Sequence, residues 1–261
     1  MIPEPHPEGT LRVIGRIRAA SNATFLAEFG GETEGDDAVA VVYKPVAGER
    51  PLWDFPDGDL AARELAAYLV SEELGWAVVP QTWLGEGPHG PGMLQRWCEP
   101  DPEVEAVTIV PEGAVPDGFR WVFDGYDVAD RVISLVHEDS PALRRMAVFD
   151  AMVNNADRKG GHVLAMADGH RYGCDHGLTF HHEPKLRTVL WGWQDEPLTG
   201  VECDGIRRVR AGLDGVLGDA LGKLLSVVEL AALAGRCDRL LDRGRFPVAA
   251  DDRHVVPWPP F

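Results

Sequence analysis

Between two apolar segments the chain runs Asn154-Asn155-Ala156-Asp157-Arg158-Lys159-Gly160-Gly161-His162, and after a short predicted strand it continues Gly173-Cys174-Asp175-His176-Gly177. This density of glycine and asparagine argues against a continuous helix and indicates a polar loop. Two acidic residues and one candidate metal ligand are therefore held at fixed spacing on irregular backbone. The layout is typical of a metal-assisted phosphoryl-transfer site.

The first acidic residue of this loop, Asp157, is a candidate catalytic base. We expect its neighbours Arg158 and Lys159 to keep the carboxylate ionised. An ionised aspartate beside a bound nucleotide can orient and deprotonate an attacking hydroxyl. An isolated aspartate is more often a loop or capping residue, but the surrounding pattern favours the catalytic role.

The second acidic residue, Asp175, and His162, five residues after Asp157, are candidate ligands of a divalent metal. A carboxylate suits Mg²⁺ or Mn²⁺, and a neutral imidazole shifts the preference towards Mn²⁺. Taken alone, His162 also fits a hydrogen-bonding histidine and Asp175 a turn residue. His181 and His182 are expected to point to opposite faces of an extended segment, which makes them poor joint ligands.

Upstream of the loop, the pattern predicts a strand-rich half with one helix. Residues 60–74 form the helix, with Asp59 as its N-cap and Gly75 as its stop. Leu65, Tyr68 and Leu69 give this helix an apolar stripe. The predicted strands cover residues 11–18, 24–29, 38–44, 78–84 and 92–97.

Three polar features of this half are candidates for nucleotide binding. Lys44 ends an apolar strand and Glu64 lies on the helix, so that a Lys–Glu pair would hold the lysine in place for phosphates; each residue alone fits a surface charge. Ser21, Asn22 and Thr24 lie on a turn whose amides and hydroxyls suit phosphate oxygens. Neither a Walker loop nor a dinucleotide-binding glycine motif occurs in the chain.

The other half of the chain is predicted to be helical around the central loop. An acidic, proline-broken connector at 99–103 leads into a region up to about residue 140 that is expected to be irregular. Ser140 and Pro141 predict the start of a helix over 142–153. Short strands are predicted at 163–164 and 171–173, and helices at 213–225 and 227–241. The order suggests two lobes with a cleft between them.

Composition restricts the class of protein. The 261 residues carry a formal net charge of −17, which disfavours nucleic-acid binding and stable membrane association. The four cysteines show no metal or disulfide spacing and predict reduced thiols. No signal peptide or membrane span is recognisable, so a cytoplasmic protein is expected.

Over residues 21–180 the motifs resemble those of the phosphatidylinositol 3-/4-kinase superfamily and its bacterial protein-kinase-like relatives, most of all an actinobacterial group within it. The matching residues are the strand lysine Lys44, the helix glutamate Glu64, the Ser21-Asn22-Ala23-Thr24-Phe25 phosphate loop, the Gly92-Met93-Leu94-Gln95-Arg96-Trp97 hinge, the Asp157-Arg158 catalytic loop and the Cys174-Asp175-His176-Gly177-Leu178 metal motif.

The resemblance implies an α+β, two-lobed kinase-like fold, with an N-lobe over 1–97 and a C-lobe over 98–261. It implies a kinase that moves the γ-phosphate of ATP to a hydroxyl, with protein Ser, Thr or Tyr favoured over a small molecule or lipid. Lys44 and Glu64 would serve the phosphates, Gln95 and Trp97 the nucleotide, Asp175 and His162 the Mg²⁺ or Mn²⁺ ion, and Asp157 the acceptor. One position departs from the family, because His162 stands where an asparagine is usual.

Three other functions remain open at this level. A nucleotide-binding pseudokinase would bind ATP without turnover, and a variant enzyme would transfer AMP instead of the γ-phosphate. A metal-dependent hydrolase would use Asp157, His162, Asp175 and His181 or His182, and it would hold zinc or iron without nucleotide affinity.

Overall fold

A five-stranded antiparallel sheet begins the fold in the computed structural model, which describes residues 9–17, 22–30, 38–49, 55, 59–250 and 254–261. The strand order is β1-β2-β3-β5-β4, so β3 and β5 lie side by side near the centre. All five predicted strands are confirmed, with shifted ends. The strands are β1 (Thr10–Arg16), β2 (Phe25–Gly30), β3 (Val39–Pro45), β4 (Thr82–Gly87) and β5 (Gly90–Arg96).

The helix α1 (Leu60–Leu74) is inserted between β3 and β4 and has the predicted bounds. Its N-cap Asp59 accepts a hydrogen bond from the Ala62 amide, and Gly75 ends it in the left-handed conformation at φ 67°. Both terminal signals in the sequence therefore act as expected. The helix is buried on several sides and carries Glu64 inward, with only 2% of that residue exposed.

The region up to residue 140 is not irregular, and that expectation is wrong. It contains the second sheet, with strand order β6-β8-β7. The alternation in these strands is weak because several large apolar residues, among them Ile109 and Trp121, face solvent. The strands are β6 (Val107–Pro111), β7 (Phe119–Tyr126) and β8 (Val132–Glu138).

The remaining chain is mostly helical around the polar loop. The predicted helix after Ser140 is confirmed as α2 (Pro141–Val153), with the Ser140 hydroxyl accepting from the Leu143 amide. The prediction of a helix over 213–225 is wrong. This region contains only the short helix α4 (Val216–Leu221), and the longer helix α3 (Gly200–Gly212) precedes it. The other elements are β9 (Val163–Ala165), β10 (Arg171–Gly173), α3 (Gly200–Gly212), α4 (Val216–Leu221) and α5 (Val227–Arg243).

One large hydrophobic core joins α1 to the helices of the second half and to the inner face of the β6–β8 sheet. A smaller cluster around Val41, Tyr43 and Leu94 holds the first sheet together. The architecture is thus α+β, with the polar loop at the boundary between the first sheet and the helical part. Within the described residues, no helix has the length and hydrophobicity that a membrane crossing requires.

Candidate active site

A cavity of about 330 Å³ lies where the first sheet, α1 and the polar loop meet. Its lining brings together five of the residues that the sequence predicts, although they come from distant parts of the chain. The lining residues are Asn22, Ala23, Lys44, Pro45, Glu49, Leu60, Ala61, Glu64, Met93, Asp157, Asp175, Gly177 and Leu178.

Lys44 forms the centre of the charged side of this cavity. Its Nζ lies 2.7 Å from Oε1 of Glu64 and 2.6 Å from Oδ1 of Asp175. The lysine lies on strand β3, the glutamate lies on helix α1, and the aspartate lies on the segment after β10. The predicted Lys–Glu pair is therefore formed, and it is extended by the second acidic residue of the polar loop.

The charges of this trio reinforce one another. Burial alone would lower the pKa of Lys44, but the carboxylates of Asp175 and Glu64 outweigh it and raise the pKa above its usual range. The Lys44 ammonium in turn holds the pKa of Asp175 well below its usual range. At neutral pH the cavity therefore contains a protonated lysine and an ionised aspartate.

Glu64 also connects α1 to the backbone next to Asp175. Its Oε2 accepts a hydrogen bond from the His176 amide at 2.9 Å, while Oε1 binds Lys44. Asp175 itself has the left-handed backbone conformation, with φ 62°. A left-handed non-glycine residue costs of order 1–3 kcal/mol and persists only where its surroundings impose it. Glu64 is one of the contacts that fix this conformation.

Asp157 lies on the opposite side of the cavity from the lysine's strand, on the loop after α2. Its amide donates to Oδ1 of Asn155, and its carboxylate lies 3.4 Å from Nζ of Lys159. Burial raises the pKa of Asp157 above its ordinary value, while Lys159 opposes that effect and Asp175 adds to it. A carboxylate with a raised pKa is a stronger base than an exposed one.

Arg158 was expected to act on the Asp157 carboxylate together with Lys159. This expectation is wrong, because Arg158 points into the protein. Its guanidinium is completely buried and forms a 2.9 Å ion pair with Asp150, which is also buried, on the last turns of α2. No local pattern predicts this pair, since spacing does not distinguish a buried guanidinium from an exposed one. Only Lys159 among the two neighbours acts on the Asp157 carboxylate.

Arg158 links the two halves of the polar loop. It donates to the carbonyl oxygens of His162 and Cys174 and to Nε2 of His176, at 3.1, 3.2 and 2.7 Å. A Cβ added at Gly173 would come within 2.8 Å of this guanidinium, so the glycine permits the close approach. The arginine thereby holds the segment that carries Asp157 against the segment that carries Asp175.

His162 approaches Asp175 in a defined tautomer. Its Nδ1 lies 2.8 Å from the carbonyl oxygen of Asp157, which can only accept, so Nδ1 carries a proton. Burial lowers the pKa of His162, so the ring is neutral and Nε2 presents a lone pair. That nitrogen lies 3.5 Å from Oδ2 of Asp175. Two electron-rich atoms that face each other fit a cation between them.

This donor set of one imidazole and one carboxylate suits Mn²⁺ or Mg²⁺. In the part of the chain that the structure describes, no group of three or more His, Cys, Asp or Glu side chains is arranged to hold a metal ion. His181 and His182 do not line the cavity. Contrary to expectation their rings stack 4.5 Å apart instead of facing opposite sides, because the chain bends at this point.

Of the described turn residues that are predicted to bind the phosphates, only one lines the cavity. Asn22 lines it, whereas Ser21 lies outside the described residues. Thr24 is buried, with its hydroxyl directed to the Asn22 carbonyl at 3.4 Å.

The hinge residues also lie off the cavity lining. Gln95 is buried and donates to the Thr82 hydroxyl at 2.9 Å, and Trp97 donates to Glu99. Met93, which lies opposite Lys44 on β5, lines the cavity instead. The alternation of β5 places Met93 and Gln95 on the same face, and this was the signal that could have identified Met93.

Glu49 is a cavity residue that the sequence did not single out. Its carboxylate accepts hydrogen bonds from the amides of Leu60 and Ala61 at 3.2 and 3.0 Å, at the start of α1. It thereby satisfies amides that a helix leaves unpaired at its N-terminus.

A second, more open cavity of about 1010 Å³ adjoins the first and also reaches Asp157. We call it the acceptor-side groove. Lys185 and Arg187 line one wall and the C-terminal segment lines another, held where the carbonyl of Val255 accepts from the Thr188 amide and the Trp191 indole. The full lining is Phe123, Ala156, Asp157, Glu183, Pro184, Lys185, Arg187, His254, Val255, Val256, Pro257 and Trp258.

Comparison with known structures supports the architecture. The fold matches the crystal structure of the golgi casein kinase with a TM-score of 0.52 and 12% identity, covering 91% of this chain and 72% of the other. A hydra Fam20 structure with sugar matches with a TM-score of 0.49 and 14% identity over 92% and 85% of the two chains. A Helicobacter pylori proinflammatory kinase, CtkA, gives 0.41 and 12% over 92% and 94%. The fold is protein-kinase-like.

Comparison of sequences gives a much nearer relative. No protein-family model matches the chain. Protein Rv2133c of Mycobacterium tuberculosis is 47% identical over 263 residues, which cover 97% of this chain and 93% of that protein. Identity at this level over nearly the whole of both chains establishes common descent, and the chain belongs to the family of Protein Rv2133c.

Proposed function

We propose that this protein is an ATP-dependent kinase of the phosphatidylinositol 3-/4-kinase-like type, which transfers the γ-phosphate to a hydroxyl group, with a protein Ser, Thr or Tyr as the favoured acceptor. The observation that carries the proposal is the position of the Lys44 ammonium, 2.7 Å from Glu64 and 2.6 Å from Asp175, in a cavity that Asp157 also lines. The kinase-like fold supports it, and residues 1–97 and 98–261 are assigned as its two lobes.

In this proposal each charged residue has a role. Lys44, held by Glu64, neutralises charge on the phosphates, and Asn22 with the neighbouring Ser21 and Thr24 supplies the phosphate turn. Gln95, near the end of β5, and Trp97, just after that strand, are assigned to the adenine. Most of the rate would come from positioning and charge stabilisation.

The metal would be held by Asp175 and His162, with nucleotide phosphate oxygens completing its coordination, as is usual for Mg²⁺ in such sites. When bound, the ion neutralises negative charge on the phosphates. The neutral imidazole adds affinity for Mn²⁺ over Mg²⁺.

The transfer itself conserves all atoms. The acceptor oxygen forms a bond to the γ-phosphorus while the bond from that phosphorus to the bridging oxygen of ADP breaks. Asp157 takes the hydroxyl proton, and ADP leaves with the bonding electrons. The raised pKa of Asp157 favours this proton transfer. The acceptor-side groove, which reaches the same carboxylate, is wide enough for a peptide segment.

The test is transfer from labelled ATP with Mn²⁺ or Mg²⁺, measured as labelled protein and as ADP released. We expect label from γ-labelled ATP, and a loss of about 100-fold or more in both Lys44→Met and Asp157→Asn. The exposed Asp168, on the turn between β9 and β10, supplies the matched control Asp168→Asn, which should keep full activity.

Three results would overturn the proposal. Transfer that survives both substitutions would remove Lys44 and Asp157 from the mechanism. Label from α-labelled but not γ-labelled ATP would identify AMP transfer. Saturable ATP binding with no ADP release from any acceptor mixture would identify a pseudokinase.

A further inference from the structure

A third cavity of about 500 Å³ lies on the helical part of the molecule, away from Lys44 and Asp175. The end of α2, the segment after His181, the last turns of α5 and the chain beyond it surround this cavity, which we call the arginine cavity. Its lining residues are Ala151, Asn154, His182, Pro184, Leu186, Arg236, Arg239, Leu240, Arg243, Arg245, Pro247 and Ala250. We infer that the arginine cavity binds a phosphoryl group carried by a small molecule.

The charge of this lining is the first observation. Four arginines line the cavity, and none of its described lining residues is acidic, in a chain whose net charge is −17. Arg236, Arg239 and Arg243 follow one another at helical spacing on α5, so they share a face. Like charges at this spacing destabilise a free helix, which means that the cluster needs a compensating interaction.

Among the described residues, few carboxylates pair with the arginines of this cavity. Arg245 pairs with Asp195, at 3.7 Å between Nη1 and Oδ2. Within the described residues, Arg236, Arg239 and Arg243 form no ion pair with a carboxylate. Of the acidic residues on α5, Asp238 pairs with Arg210 and Glu229 with Arg63, while Asp242 is exposed and forms no ion pair with the described residues.

Arg236 is the second, independent observation. It is only 9% exposed, and its Nε and Nη1 donate to the carbonyls of Met152 and His181 at 2.6 and 3.3 Å. Its Nη2 is buried and has no hydrogen-bond partner among the described residues. A buried donor on a charged group costs more free energy to leave unpaired than a neutral one. Burial lowers the pKa of Arg236 to about 10, so it stays protonated at neutral pH.

Several guanidinium groups around one cavity favour a phosphate over a carboxylate as the bound anion. A phosphate presents three strong acceptor oxygens and up to two charges, whereas a carboxylate is matched by a single arginine fork. The cavity volume also exceeds what one phosphate fills, and Leu186, Leu240 and Pro247 give it an apolar part. A phosphorylated small molecule uses both the charges and this apolar surface.

The arginine cavity adjoins the acceptor-side groove. The groove is proposed to bind the acceptor, whereas the arginine cavity is inferred to bind a phosphorylated small molecule. Asn154 donates to the carbonyls of His181 and Glu183 and accepts from the Lys185 amide, so it fixes the segment between the two cavities. Pro184 lines both. Binding at the arginine cavity does not require phosphoryl transfer at Asp157.

The test uses inorganic pyrophosphate as the probe, in calorimetry and thermal unfolding of the full chain without metal. Because Lys44 could also attract phosphate, all proteins carry Lys44→Met. We expect saturable binding, and a loss of affinity of about tenfold or more when Arg239→Gln and Arg243→Gln are combined. Both arginines are exposed, so the variant should fold, and removal of like charges should raise its unfolding temperature without ligand. The exposed Arg207 on α3 supplies the matched control Arg207→Gln, with unchanged affinity.

Other outcomes would contradict the inference. Equal pyrophosphate affinity with and without Arg239 and Arg243 would remove the arginine cavity as the site. Citrate binding as tight as pyrophosphate binding would overturn the selection of phosphate. A phosphoserine peptide that displaces pyrophosphate at much lower concentration would reassign the site to a phosphorylated protein.

Discussion

His162 is the residue at which the candidate active site departs from the kinase pattern that the sequence resembles. The asparagine usual at this position offers an amide oxygen, whereas the imidazole offers a nitrogen. The contact of Nδ1 with the Asp157 carbonyl fixes the tautomer, and Nε2 faces Asp175 at 3.5 Å. A backbone contact of this kind orients a histidine for metal binding. In the proposed kinase, the histidine would therefore alter the preferred metal while it keeps a ligand in place.

We predict that His162→Asn lowers the affinity of the ATP complex for Mn²⁺ by about tenfold and shifts the transfer rate towards Mg²⁺. Mn²⁺ binding is measured by electron paramagnetic resonance, which gives a readout without activity. His89→Asn, at an exposed residue on the turn between β4 and β5 that lines none of the three cavities, is the matched control. An unchanged Mn²⁺ affinity in His162→Asn would show that His162 does not bind the ion.

At the scale of single residues, the sequence predicted the charged trio well but not its surroundings. Lys44, Glu64 and Asp175 follow recognisable local patterns, and the structure brings them together. The buried pairing of Arg158 with Asp150 depends on the packing of α2 under the loop, which has no local signature. The position of Gln95 off the cavity lining was not predicted for a similar reason, since strand alternation gives the face but not the depth along it.

At the scale of elements, α2 and the loop after it form one structural unit. Asp150 accepts from Arg158, from the Asn155 amide group at 2.9 Å and from Thr188 at 3.5 Å. Arg158 then extends the connection to the segment carrying Asp175. The ion pair is completely buried, so neither charge is compensated by water if its partner is removed.

We predict that Asp150→Asn lowers the free energy of unfolding by about 3–5 kcal/mol, because it leaves the Arg158 guanidinium buried without a countercharge. Urea denaturation measures the change. Asp214→Asn is the matched control, since Asp214 pairs with Arg210 at 3.0 Å but is 78% exposed, and its loss should stay below about 1 kcal/mol. A similar small loss in both variants would mean that water or a rearranged side chain reaches Arg158.

Helix α3, which the sequence patterns missed, has few apolar residues. Helix α3 contains three glycines and buries little beyond Ile206 and Val209. Its best signal is the capping box of Thr199 and Glu202, in which each residue binds the backbone of the other. Helices α1 and α2 were located correctly because a larger share of apolar residues accompanied their end signals.

At the scale of the whole molecule, the charge is unevenly distributed. The chain has 25 Lys and Arg against 42 Asp and Glu, and the clustering of basic residues at the arginine cavity and the acceptor-side groove depends on the packing of distant segments. The α+β class was readable because strand-like and helix-like patterns occupy different halves of the chain. The second sheet was not, because its outer face carries exposed apolar residues.

The packing of the β6–β8 sheet against the helical part makes overall stability depend on a neutral histidine. His137 on β8 is fully buried; its Nδ1 lies 2.8 Å from the Glu138 carbonyl, and its Nε2 accepts from the Gly192 amide at 3.0 Å. A proton on Nε2 would break the second bond. Burial accordingly lowers the pKa of His137 to about 4.

We predict that the free energy of unfolding falls by up to about 3 kcal/mol through His137 as the pH is lowered from 6.5 to 4. The sign follows from proton binding: over this interval the unfolded chain takes up a proton that the folded chain refuses, so acid favours unfolding. Urea denaturation at several pH values measures the slope. His137→Gln should flatten it, whereas His254→Gln, at an exposed histidine, should leave it unchanged. An equally steep slope in His137→Gln would assign the acid sensitivity to other groups, first among them the buried His176, whose pKa burial also lowers.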